Sequence, residues 1–270
     1  MSLSLAPEIL DLIVDHLHDE STALRACCLA SKSWIPRTRI HLFDRVELYR
    51  TGSSLESWAE TFPVPSGSPA HYTRSLRLSN LEVTTVGISN TLPWIHSFNN
   101  IVELEVVGVG VKYHNITFTQ LRGLSPTIKY LHIFHSLTPL PEVVDFIYSF
   151  PLLEDLSMSY IQCHDWENID SWDAPPISPK FNGSLLLNCS DRGITRKLLG
   201  FQGGIHFSKI TVSCHIEDCD LVGELVSTCS DTLEYLDIDF YRRAFSTAST
   251  ADQYLITACR HRQTLDTAFT

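Results

Sequence analysis

The chain has 270 residues, of which 44% are hydrophobic and 19% charged, enough apolar material for a substantial core and too little polarity for a disordered polymer. A formal net charge of −11 excludes a broad nucleic-acid footprint, which needs clustered lysine and arginine, and disfavours an anionic membrane surface. No run approaches the roughly 18 uninterrupted apolar residues needed to cross a bilayer, and the opening Met1 to Val14 has no Lys or Arg, so it makes a poor secretory signal.

In chain order, residues 3 to 45 have a helical rhythm. Pro7 suits a first helical turn, where its missing N–H costs nothing, and Glu8 and Asp11 sit near the positive end of the helix dipole. Ile9, Ile13 and Leu17 share one face, and Leu10 and Val14 widen the stripe. A second helix is expected after Asp19 or Ser21, carrying Leu24, Cys27, Cys28 and Leu29. A third stretch holds Trp34 and Ile35, with Pro36 setting a boundary or kink. Three helices this short make a small core, which a partner or neighbouring domain should complete. From Thr51 to His71, Gly, Ser and Pro mark a loop, interrupted by an apolar piece around Trp58. A second excursion, rich in Pro and Asp, runs from about His164 to Lys180 and contains Trp166 and Trp172.

The remainder repeats. Apolar residues recur at L-x-x-L-x-L spacing in Ile101-x-x-Leu104-x-Val106, Ile128-x-x-Leu131-x-Ile133, Leu153-x-x-Leu156-x-Met158, Phe207-x-x-Ile210-x-Val212 and Leu233-x-x-Leu236-x-Ile238. Leu76-x-Leu78 and Leu185-x-Leu187 are weaker copies. The central residues fall at 76, 104, 131, 156, 185, 210 and 236, spaced by 25 to 29 residues. Each motif reads as a short strand. The stretches Leu140 to Phe150, Ile194 to Phe201 and Leu221 to Cys229 read as helices between them. A strand-plus-helix unit cannot bury its apolar face alone, so the units must stack. After Phe240 a polar linker, Ser246 to Thr250, leads to a helix expected over Gln253 to Cys259.

If the central apolar residues point inward, the alternate positions line the opposite face of the sheet. These are Arg77, Glu103, Glu105, Tyr130, His132, Asp155, Ser157, Thr211, Tyr235 and Asp237, a mixture of aromatic, acidic and hydroxyl groups suited to protein recognition. Catalytic chemistry has little support. His132 and His135 are expected on opposite faces of a strand. Cys214, His215 and Cys219 lack the further pair that closes a zinc shell. The carboxylate pairs Glu103/Glu105 and Asp237/Asp239 read as solvated. No nucleophile elbow or phosphate loop occurs, so no enzyme activity, cofactor or metal is expected. Eight scattered cysteines without a CxxC pair read as buried thiols of a cytoplasmic or nuclear protein.

The spaced strands resemble the leucine-rich repeat family in a degenerate form, since Leu81, Ser136 and His215 stand where the family's turn position carries Asn or Cys. The opening residues Leu5-Ala6-Pro7-Glu8-Ile9-Leu10, Ile13, Leu17, Leu24, Cys27-Cys28-Leu29-Ala30 and Lys32-Ser33-Trp34 resemble an F-box, similar to those that open many fungal repeat proteins, with Ala6 where Pro is common. The resemblance implies an α/β chain: an F-box-like three-helix module over 1–45, a lead-in over 46–74, an irregular leucine-rich-repeat solenoid over 75–242 with its parallel sheet concave and its helices outside, and a terminal segment over 243–270. It further implies a non-catalytic substrate receptor of a cullin-type (SCF) ubiquitin ligase. The Skp adaptor would bind through Leu5, Pro7, Glu8, Ile9, Ile13, Leu17, Leu24 and Trp34, and a protein substrate through the repeats. The alternatives are a repeat interaction protein outside ubiquitin ligation or, from another class, a hydrolase with an unrecognised site.

Overall fold

A computed structural model describes residues 6–49, 54–79, 95–109, 117–124, 126–164, 179, 181–188, 192–201 and 204–241. Three helices come first. Helix α1 (Pro7–His16) starts on its proline, after an extended Ala6, with Glu8 in its first turn. Helix α2 (Ser21–Ala30) follows, and a 3-10 turn (Lys32–Trp34) leads into α3 (Ile35–Leu42). Pro36 lies in the first turn of α3, so it opens that helix without breaking it. Val14, Leu24 and Cys27 bury themselves between the helices, and Thr38, fully buried, donates its hydroxyl to the Trp34 carbonyl at 2.7 Å.

The chain then enters a parallel sheet. Strand β1 (Arg45–Tyr49) buries Val46 and Leu48, and α4 (Ser54–Thr61) follows it. Trp58 of α4 meets Phe43, Phe62 and Phe98, with ring centroids 5.9, 5.0 and 5.3 Å away. Both elements fall in the stretch read from the sequence as a lead-in and loop. Next come β2 (Ser75–Ser79), β3 (Glu103–Val107), a helical turn α5 (Phe118–Leu121) and β4 (Tyr130–Phe134). They are followed by β5 (Leu137–Pro139), α6 (Leu140–Tyr148), β6 (Asp155–Ser159), β7 (Gln162–His164), β8 (Ser184–Asn188) and α7 (Arg192–Leu199). The last described elements are β9 (Lys209–His215), α8 (Cys219–Thr228) and β10 (Tyr235–Tyr241). Trp166, Trp172 and the expected helix over Gln253 to Cys259 lie outside the described residues.

Eight strands form one sheet in the order β1-β2-β3-β4-β6-β8-β9-β10, every pair parallel, while β5 and β7 pair separately. The fold is therefore α/β. The seven central residues of the sequence motif stand opposite one another in a single row: Leu76, Leu104, Leu131, Leu156, Leu185, Ile210 and Leu236. This row and its neighbour two residues on (Leu78, Val106, Ile133, Met158, Leu187, Val212, Ile238) meet the helices in one core. Phenylalanines fill the space behind the sheet. Phe146 lies 4.8 Å from Phe118 and 4.9 Å from Phe150, and Phe181 lies 5.1 Å from Phe207.

One backbone device repeats where the strands begin. The Arg74 carbonyl accepts from the N–H groups of both Val102 and Glu103, at 2.8 and 2.9 Å. Val102, Lys129 and Ser208 carbonyls likewise each take two successive amides from the following strand. At β8 the pattern changes. The Glu154 carbonyl takes only the Gly183 N–H, at 3.3 Å, and the Ser184 N–H donates instead to a carboxylate oxygen of Asp155. Where β3, β4 and β6 end, the next residue turns left-handed: Gly108 (φ 75°), His135 (φ 49°) and Tyr160 (φ 56°). Each N–H then reaches the last carbonyl of the neighbouring strand, on Phe134, Ser159 and Asn188. Glycine adopts this conformation freely, whereas His135 and Tyr160 hold it at a cost of about 1–3 kcal/mol each. No described helix is long and apolar enough to cross a membrane.

Candidate functional site

Two surfaces gather the residues singled out by sequence. The first is α1. Ile9, Leu12 and Ile13 are 47%, 60% and 40% exposed at positions i, i+3 and i+4, so they form one uncovered apolar stripe. Pro7 and Glu8 are exposed beside it, and Leu17 and Trp34 are half-buried. Leu24 is buried within the helix packing, so its role is to hold the module together. Leu5 lies outside the described residues. Leu12 and the 89%-exposed Leu29 join the uncovered set. Leu12 was missed from sequence because a stripe counted in steps of four from Ile9 passes over the i+3 position.

Beside the stripe, one turn beyond Leu12, Asp15 ties α1 to α3. Arg37 donates from Nε and Nη2 to the two Asp15 oxygens at 2.6 and 2.5 Å, and His41 Nε2 lies 2.8 Å from Oδ1. This two-pronged grip clamps α1 to α3. Hydrogen bonds from Arg37 and then His41 hold the Asp15 carboxyl well below the usual carboxylate range. A depressed folded pKa stabilises above the unfolded value of about 3.9 and loses that contribution as pH falls through the folded value. The stability gap between wild type and Asp15→Asn is therefore expected to be fully open near pH 5 and to narrow below about pH 4. Acid titrations followed by helical circular dichroism measure it, and a gap that widens with acid would contradict the clamp.

The second surface is the sheet face away from the helices. Arg77, Glu103, Glu105, Tyr130, His132, Asp155, Ser157, Thr211, Tyr235 and Asp237 all fall on it, in two rows of the strand register. Arg77 bridges Glu47 and Glu105, at 3.2 and 3.4 Å from Nε. Glu103 lies 3.7 Å from His132, and Lys209 caps the Tyr235 ring at 4.9 Å. Ser157 and Ser159 are buried on this face, making a low strip between Tyr130, His132 and Phe134 on β4 and Leu186 on β8. Asp155 has one oxygen committed to the Ser184 N–H.

Glu47, Leu186 and Lys209 also line this face and were not picked out from the sequence, although β1 carries a visible signal in Phe43-x-x-Val46-x-Leu48. His135 does not share a strand with His132, because β4 ends at Phe134. Its ring stacks instead on Tyr160, with centroids 4.8 Å apart and planes 2° from parallel. Among the described residues no three His, Cys, Asp or Glu side chains gather to hold a metal ion. Cys229 is buried against the Ile205 carbonyl, and that burial pushes its thiol pKa up, the opposite of an activated nucleophile. The chain matches no protein-family model, and searches of curated proteins and of solved structures likewise find no match.

Proposed function

We propose that this chain is a non-catalytic receptor: an F-box-like helical module that docks the Skp adaptor of a cullin-type ubiquitin ligase, joined to a leucine-rich-repeat solenoid that holds a protein substrate. The observation that carries the reading is the bare stripe of Ile9, Leu12 and Ile13 on a helix clamped to α3 through Asp15 by Arg37 and His41. Three adjacent large apolar side chains left in water are unfavourable for an isolated module and suit a helix laid into an apolar groove. The F-box resemblance of these residues says which groove. The solenoid reading draws support from eight parallel strands that follow one another in chain order, with motif residues in one row.

Ile9→Asp with Ile13→Asp tests the docking role, since both positions are exposed and the helices should still form. Interface anchors of this kind each cost 2 kcal/mol or more when lost, about 30-fold in affinity. The double variant is expected to lose capture of the purified Skp adaptor while keeping the wild-type helical circular dichroism. Capture at wild-type strength by a folded double variant would refute the adaptor role and leave a repeat interaction protein outside ubiquitin ligation.

A further inference from the structure

We infer that the outer sheet face selects a basic side chain, lysine or arginine, from the protein that docks there, seating it on the Tyr130 ring between the carboxylates of Glu103 and Asp155. The inference rests on the receptor reading for its biological meaning and names the substrate class that this reading leaves open.

The register makes the juxtaposition. Glu103, Tyr130 and Asp155 stand opposite one another on β3, β4 and β6, so the tyrosine has a carboxylate on each side at the strand spacing of about 4.8 Å. Tyr130 is 37% exposed. An electron-rich ring flanked by two anions is a binding site for a cation, because ring quadrupole and carboxylates attract it together. The chain itself shows the pairing once: in the same register row, Lys209 sits over Tyr235.

The face's own lysines and arginines are placed elsewhere, and His132 lies 3.7 Å from Glu103. Arg77 is held between Glu47 and Glu105, Lys209 is on Tyr235, and Arg45 stands two strands from Glu103. Lys129, next to Tyr130 in sequence, is drawn to Glu154 at 2.7 Å. Among the described residues no Lys or Arg forms an ion pair with Glu103 or Asp155. The buried Ser157 beside His132 and before Leu186 leaves a low strip into which the methylene stem of a basic side chain fits. An acidic segment would set like charges against these carboxylates, at a cost in affinity.

The test uses the full chain and a fluorescein-labelled octapeptide of alternating arginine and serine, with a glutamate-serine octapeptide as counterpart, read by fluorescence anisotropy at physiological salt. The arginine peptide is expected to bind and the glutamate peptide not. Tyr130→Ala and Glu103→Gln are each expected to weaken binding on the order of 10-fold. Glu224→Gln, which removes the same charge from the exposed side of α8, should leave it unchanged. No arginine-peptide binding at about 1 mM, equal loss in Glu103→Gln and Glu224→Gln, or an unaffected Tyr130→Ala would each overturn the inference. The Ile9→Asp, Ile13→Asp variant is expected to keep peptide binding, so failure of this inference and failure of the adaptor reading give different results.

Discussion

Phe146→Ala is expected to lower stability by about 3–5 kcal/mol, the range for deleting a buried phenyl ring. Phe146 is fully buried on α6, with Phe118 and Phe150 rings 4.8 and 4.9 Å away and the sheet in front of it. Part of the loss is transfer of apolar surface. The rest is the cavity, which neighbours fill only partly because α6 is also anchored by Leu140, Val143 and Ile147. Urea unfolding followed by circular dichroism measures the effect. Phe146→Leu should retain more than half of what alanine loses. A loss under about 1 kcal/mol for alanine would mean that this part of the core collapses freely, against the packing described.

Gly183→Ala is the second large effect, and its cause is not apolar. A Cβ at 183 would run into the Asp155 carboxylate and lie 3.2 Å from the Glu154 carbonyl. The carboxylate would have to swing away, breaking its bond from the Ser184 N–H, and the backbone on the other side has little room to yield. The same residue's carbonyl accepts from Ser208 and Lys209, so the disturbance reaches β9. A loss of about 1–3 kcal/mol is expected from orphaning the part-buried Ser184 amide together with the strain beside it. Combining Gly183→Ala with Asp155→Ala removes the collision, and the double variant should cost less than the sum of the two. Additive losses would show that the two residues do not meet.

The contrast between these two sites shows where the chain was legible. Strand positions were readable because the inward alternation is a local property, and the recurring L-x-x-L-x-L put Leu104, Leu131 and Leu156 in phase before any pairing was known. The helices over 140–148, 192–199 and 219–228 followed from periodicity in the same way. Strand β1 carried the same motif and was overlooked, since it abuts a helix and its Val46 lies further from Leu76 than the other spacings.

The outer-face rows were also legible, because one period-2 alternation sorts every strand into two faces. Their chemistry was not. That Arg77 is spent on Glu47 and Glu105, that Asp155 serves the Ser184 amide, and that Lys209 covers Tyr235 depend on which strands become neighbours.

The same division holds at the opening helices and at the strand ends. Sequence alone established that α1 is amphipathic with Ile9 and Ile13 on a shared face. Only packing decided that this face stays bare while Leu24 goes inside, because exposure depends on what α2, α3 and the Asp15 clamp leave uncovered. Left-handed turns at His135 and Tyr160 had no local cue in Gly or Asn. They exist because hydrogen bonds to Ser159 and Asn188, on adjoining strands, outweigh the local preference of the residues themselves. Periodicity is written residue by residue, whereas partners tens of positions apart are set by loop lengths and stacking.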